Sequence, residues 1–572
     1  MTLTRGKKWL LGGGIVVALG AAAVLVKAIW RPMAPQVKIT ARLADIELGQ
    51  PDALIRSAHL SALPRDLLRV PLLHDVLSED FVSYYEINEA RLSLAGTLRR
   101  IAYEHKLEFG DEVIRRVLDE PAEVALWRGD RGRLQYWALV SQRNGLSRLL
   151  QGIANVALDD SQLRKVGQIK VDGDDTTLYA LAYGYQRNLL FAVHGERMVA
   201  LSDPGMLLDD EGAVDGDRGD LVSRLLDGDN AVLAWAKSAL AGGDGPKLEG
   251  IKGHQLLVSA KFLSFGYQPF FPGIEALRFD FADGEQPWST RALIDPAKLP
   301  GQWNSSELWR VLPTDAAACA SLPVDWASTR PVLAAVVGAE DADSLSSAFA
   351  GPAAACWYGK SRLSSPLFVA KLAKPELAES MQGQLQAVFS QVIGAYEAGS
   401  GTADGRLGLE VNQNASGGMQ WQRDVSARYG SALAGESMHA DQLSSGRFFP
   451  VTMALADGYV LFSPDGSLVK DALSVLAHSW PAMADDMDGD TRHVVARISP
   501  DALAKLAERE SFAALPQSQE PVFRNAATQY LIPRLHALGD YPALSLRLPD
   551  PLPGKRGWVP VQWEQASSGA AR

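Results

Sequence analysis

The first pattern along the chain is an unbroken apolar run over residues 9–30, with Trp9 and Trp30 at its ends and Lys27 as its only charge. About 20 residues rising roughly 1.5 Å each cross a hydrocarbon core of about 30 Å, so the run predicts a transmembrane helix. A tryptophan at each end suits the membrane interface, and Lys27 sits close enough to the far end to reach outward. Arg31-Pro32 stops the helix. Two readings compete with an anchor. One is a buried helix of a soluble domain. The other is a signal peptide cleaved at Ala21-Ala22-Ala23, against which Val24, Leu25, Val26 and Ile29 continue the apolar run.

Beyond the run, helical and strand periods alternate. Leu146, Leu149, Leu150 and Ile153 fall on one helical face, as do Leu377, Met381, Leu385, Val388 and Val392, and also Val113, Ile114, Val117 and Leu118. Residues 189–193 and 198–201 flank Gly195-Glu196, and residues 451–455 and 459–462 flank Asp457-Gly458; both read as β-hairpins. Residues 256–260 and 277–281 read as further strands. Hairpins mixed with helices predict an α+β fold, with a largely antiparallel sheet packed with helices.

Several segments recur in the same order. Leu63-Pro64-Arg65-Asp66 resembles Leu312-Pro313-Thr314-Asp315, and Pro121-Ala122 leading to Trp127 and Gly129 resembles Pro352-Ala353 leading to Trp357 and Gly359. Met198 to Ser202 resembles Tyr459 to Ser463, and Asp227-Gly228-Asp229 resembles Asp488-Gly489-Asp490. Shared order predicts a divergent tandem duplication. The expected layout is a cytoplasmic tail (1–8), the transmembrane anchor (9–30), a spacer (31–54), two related α+β halves (55–300 and 301–565), and a frayed tail (566–572).

Composition narrows the classes. Of 572 residues, 47% are hydrophobic and 22% charged, an ordinary globular balance that excludes a disordered chain and a polytopic membrane protein. The net charge of -11 argues against a nucleic-acid partner. Arg5, Lys7 and Lys8 cluster ahead of the apolar run, which predicts that the amino terminus stays inside and the bulk of the chain lies outside the cytoplasm.

The candidate chemistry is thin. Cys319 and Cys356 are the only cysteines. In an oxidising compartment they form a disulfide candidate, closing a loop of about 36 residues with a gain of roughly 3–4 kcal/mol; two buried thiols are the competing reading. Ser467-Leu468-Val469-Lys470 matches S-x-x-K, in which a lysine helps deprotonate a serine, but the S-D-N and K-T-G partners are absent. Asp486, Asp488 and Asp490 alternate as in a calcium loop, yet Thr491 stands where that loop needs glycine. The nine histidines are scattered, so no metal or cofactor is expected. Phe262, Phe265, Tyr267, Phe270 and Phe271 concentrate aromatic rings in one stretch, either as core or as an exposed partner patch.

With the apolar run, the two L-P-x-D segments and the Ser463-Pro464-Asp465-Gly466 turn, the chain resembles an uncharacterised bacterial family of membrane-anchored envelope proteins. That family is known only as a domain of unknown function, and some members are encoded beside bacterial alpha-2-macroglobulin-like proteins. The resemblance implies a single-pass inner-membrane protein with the bulk of the chain in the periplasm. The leading expectation is a non-enzymatic binding or scaffolding ectodomain with an envelope protein partner, and the resemblance adds, by analogy, a role accessory to an alpha-2-macroglobulin-like system. It transfers no catalytic residues. The alternative is a periplasmic hydrolase whose site is assembled from distant residues.

Overall fold

The computed structural model describes residues 41–59, 62, 63, 66, 121–129, 134–142, 163–183, 187–227, 252–264, 267–281, 288–301, 303–400, 408–413, 418–426, 448–513, 525, 528, 529 and 532–566. Alternating burial marks many of its strands. In β2 (Ala122–Arg128), Ala125 and Trp127 point into a core while Val124 and Leu126 are half-buried. Tight turns set the register. Asp172-Gly173 and Asp457-Gly458 both have two positive φ values (49° and 87°, 50° and 77°), the left-handed geometry that a two-residue hairpin turn requires.

The first ten strands are β1 (Ala53–Ser57), β2, β3 (Leu134–Gln142), β4 (Leu163–Val171), β5 (Asp174–Tyr183), β6 (Arg187–His194), β7 (Arg197–Leu201), β8 (His254–Ser259), β9 (Ile274–Phe281) and β10 (Trp288–Ile294). They pair antiparallel in the order β4-β5-β6-β7-β3-β2-β1-β8-β9-β10. The next ten are β11 (Ala316–Leu322), β12 (Ala353–Tyr358), β13 (Leu367–Lys371), β14 (Glu410–Gln413), β15 (Met419–Ser426), β16 (Phe448–Ala456), β17 (Tyr459–Ser463), β18 (Val494–Ile498), β19 (Leu544–Arg547) and β20 (Gly557–Gln565). Their order is β14-β15-β16-β17-β13-β12-β11-β18-β19-β20, the same sequence of pairings shifted by ten.

β20 joins the two runs. Its residues Gly557 to Val561 pair with β10, and Gln562 to Gln565 pair with β19. Ala292 and Ile294 of β10 share a buried cluster with Val559 and Val561 of β20, Trp303 and Leu548. Trp563 donates to Thr290 at 3.0 Å and meets Trp288 edge-on at 4.5 Å.

Helices cover the sheet. Leu377–Ser400 buries Met381, Leu385, Phe389 and Ile393 against Trp421, Val451 and Met453, while Val392 is exposed. Gly466–Leu476 buries Leu468, Val469, Ala472 and Val475, and its first turn is capped by Asp465, which accepts from the Ser467 amide. Trp309 is fully buried beside them and donates to the Val494 carbonyl at 3.0 Å.

Two expectations are corrected. A membrane helix followed by two halves, each with its own sheet, gives way to one large antiparallel sheet, of 20 strands among the described residues, that runs through both halves. The physical reason is β20, whose nine residues are long enough to satisfy two partner strands in succession. The expected single-pass inner-membrane location is not carried by the structure: among the described residues no helix is long and apolar enough to cross a membrane. The segment from Trp9 to Trp30 lies outside the described residues, as do the helices read at residues 113–118 and 146–153.

Cys319 and Cys356 lie directly opposite each other on β11 and β12, with Cα atoms 4.0 Å apart, and are joined by a disulfide. When the chain is unfolded without reductant, a thiol reagent is expected to find none of its 2 cysteines free; labelling of both before reduction would contradict the bond. The shared cluster gives a second test. Val559→Asp puts a carboxylate where the native side chain is 1% exposed. It is expected to lower stability by roughly 3 kcal/mol or more. Thermal unfolding should lose both halves in one transition, and a variant that melts only one half would disagree.

Candidate functional site

The repeated order places a polar cavity at the same end of two equivalent strand triplets. In the first, Asp52 precedes β1, Arg128 closes β2 and Lys261 follows β8 around a cavity of about 330 Å³. Asp52 accepts from the Arg128 backbone at 2.7 Å and from its Nε at 3.1 Å. The Arg128 guanidinium also lies 5.3 Å from the centre of the Phe262 ring. Glu275 accepts from Arg556 Nη2 at 2.7 Å and from Lys298 at 2.8 Å. Burial alone would raise the Glu275 carboxyl, but the hydrogen bonds from Arg556 and Lys298 outweigh it and hold it below the ordinary range.

In the second triplet, Asp315 precedes β11, Lys360 follows β12, and Asp501 and Lys505 follow β18 around a cavity of about 300 Å³. Lys360 pairs with Asp471 of the helix Gly466–Leu476, and Lys505 donates to Asp501 at 2.6 Å. Burial lowers the Lys360 ammonium, with Asp465 and Asp315 pulling the other way. Asp315 holds a left-handed φ of 63°, a strained backbone for a residue with a Cβ. Trp480 stands at the cavity and also lines a shallow groove of about 800 Å³.

At the opposite end of β1 and β8 lies a buried hydrogen-bonded array. Ser57 Oγ is 2.7 Å from His254 Nδ1, and His254 Nε2 is 3.1 Å from Asp66 Oδ2. A carboxylate only accepts, so Nε2 carries the proton and Nδ1 accepts from the serine. This is the hydrogen-bond order of a serine nucleophile, its base and an orienting acid. Yet Ser57 is 0% exposed, and its oxygen already accepts from the His59 amide at 3.1 Å. Beside it Arg56 donates to Glu123 at 2.8 Å, with both side chains buried. The array therefore satisfies buried polar groups, and no substrate reaches the serine in this conformation. No local motif could have revealed it, because Ser57 and His254 are 197 positions apart and meet only through the β1–β8 register.

The residues singled out from the sequence fall as follows. The Ser467 hydroxyl donates to Asp465 at 2.7 Å within the helix cap and does not engage Lys470, so the S-x-x-K match is a helix start. Asp490 pairs with Arg492, whose hydrogen bonds hold its carboxyl down to about 2. No group of three or more histidine, cysteine or acidic residues fit to hold a metal occurs among the described residues. The aromatic stretch divides. Phe271 is buried, Phe262 is half-buried under Arg128, and Phe270 stacks on Tyr267 at 6.0 Å. Tyr267 is 63% exposed and Leu263 43%. Phe265 lies outside the described residues.

Comparison with known proteins adds relatives without an assigned activity. The profile of a family described as "Uncharacterized protein conserved in bacteria (DUF2138)" matches residues 8–563. "Uncharacterized protein YfaA" of Escherichia coli (strain K12) is 34% identical over 577 residues, covering 98% of this chain and 99% of that protein. Among solved structures, crystal form III of TP0453 is 9% identical and covers 47% of this chain and 87% of that one, with a TM-score of 0.22. Crystal form IV of TP0453 is 8% identical and covers 44% and 80%, with a TM-score of 0.20. Likeness at that level carries no argument about fold or function.

His254 gives the array a pH signature. Burial pushes its imidazole below the ordinary value, against the pull of Asp66. Between that lowered value and about 6.5, the unfolded histidine holds more protons than the folded one. Its stabilising contribution is therefore complete above about pH 6.5 and is lost as pH falls through the lowered folded value. The melting temperature of the wild type is expected to drop more steeply below about pH 6.5 than that of His254→Asn; equal slopes would remove His254 as a contributor.

Proposed function

We propose a role for a chain that belongs to the DUF2138 family of uncharacterised bacterial proteins: it is a non-enzymatic binding or scaffolding protein whose partner is another protein. The observation that carries this reading is the aromatic segment at the joint between the halves. Tyr267 is 63% exposed, but the segment beneath it is fixed. The Phe270 carbonyl accepts from the Asp325 amide of the second half at 2.7 Å, and Phe271 is buried. A large amphipathic ring on a rigid support loses little entropy when a partner covers it, which is the usual character of an interface anchor. The partner to test first is a bacterial alpha-2-macroglobulin-like protein, on the resemblance drawn from the sequence.

The second reading is a hydrolase, and the Ser57–His254–Asp66 array is the observation in its favour. Full burial of Ser57 counts against it. One experiment separates the two. Purified full chain is tested for binding to the purified alpha-2-macroglobulin-like protein of the same bacterium, and in parallel for turnover of p-nitrophenyl acetate. The binding reading expects a complex that Tyr267→Glu with Leu263→Glu weakens at least tenfold, in keeping with a hot-spot cost of about 2 kcal/mol. It also expects no ester turnover that depends on Ser57. Turnover abolished by Ser57→Ala would overturn it in favour of the hydrolase.

A further inference from the structure

We propose that the second-half cavity binds a saccharide, with one sugar ring stacked on Trp480. Each cavity has a tryptophan in its lining, Trp127 of β2 in the first and Trp480, which follows the helix Gly466–Leu476, in the second, and the two are not repeat counterparts. In the first, Trp127 is 3% exposed and its indole donates to the Glu47 carbonyl at 3.0 Å. In the second, Trp480 is 49% exposed. Its backbone is nevertheless held firmly. The amides of Ser479 and Trp480 both donate to the Ser474 carbonyl, at 2.9 and 3.2 Å, and His478 makes the turn at a φ of 54°. The ring is therefore an exposed flat face on a rigid mount, stationed between a cavity and a groove.

The polar lining fits hydroxyl groups better than ions. Lys360 is neutralised by Asp471 and Lys505 by Asp501, so the lining offers an anionic ligand no unpaired cation, and Asp315 is its one uncompensated charge. Each pair nonetheless offers donors and acceptors side by side, the complement of neighbouring sugar hydroxyls. Among the described residues the Asp315 side chain takes part in no hydrogen bond or ion pair, and its carboxylate lines the cavity as an acceptor. A sugar ring combines an apolar C–H face with a rim of hydroxyls, which matches an aromatic face beside a polar cavity. The cavity of about 300 Å³ is at the small end of ligand pockets, roughly 300–1,000 Å³. It accommodates one ring, and the groove of about 800 Å³ beyond Trp480 gives the following rings a path.

The test uses the full chain with chitohexaose, maltohexaose and spermidine as probes, read by saturation-transfer NMR and titration calorimetry. We expect binding of at least one hexasaccharide, with Trp480→Ala weakening it tenfold or more and Asp315→Asn weakening it less. The two sugars separate an amino-sugar glycan from a glucan as the source. Trp480 is exposed, so its variant should keep the wild-type melting temperature, which the same samples report. Binding of neither sugar, binding unchanged in Trp480→Ala, or binding of spermidine alone would each overturn the proposal. The protein-partner reading stands apart, because its residues Tyr267 and Leu263 are not in this cavity.

Discussion

The structure depends on the double pairing of β20. A strand edge left unpaired exposes a row of amide and carbonyl groups that must find partners. β10 is the last strand of the first pairing order and β19 the second-to-last of the second. β20 satisfies β10 with Gly557 to Val561 and β19 with Gln562 to Gln565. The side chains follow the backbone, since Val559 and Val561 pack with Ala292 and Ile294 in one cluster. The edge strand β10 of the first half is covered by β20 of the second, so the halves are coupled by geometry and by a shared core.

That coupling organises the polar groups. Each triplet of strands (β8-β1-β2 and β18-β11-β12) carries a charged cavity at one end. At the other end buried polar groups are satisfied internally, by Ser57, His254 and Asp66 in the first half and by Ser305 and Ser321, 2.7 Å apart, in the second. Buried ion pairs such as Arg56–Glu123 return little net stability, because desolvation offsets most of the attraction; breaking one partner costs about 3–5 kcal/mol.

Local pattern was legible and long-range assembly was not. The hairpins β6–β7 and β16–β17 stand where alternation and glycine turns place them, and the helix Leu377–Ser400 follows its apolar period. That helix also shows the limit. Val392 fits the sequence stripe yet is exposed, because Phe389 and Ile393 take the buried face. The two L-P-x-D segments look alike in letters, but Leu63 and Asp66 come after β1 whereas Leu312 to Asp315 run into β11. Residue similarity over four positions cannot report position in a sheet. The Ser57–His254–Asp66 array and the second-half cavity were invisible for a related reason, since strand pairing brings together residues that no local window contains.

Native-state hydrogen exchange along a denaturant series tests the coupling most directly. If β20 makes one unit of the two halves, the amides of β10 at Thr290 to Ile294 and those of β19 at Leu544 to Arg547 open with the same free energy and the same denaturant dependence. Opening of β19 and the second-half strands at a distinctly lower free energy, with β10 still protected, would contradict it.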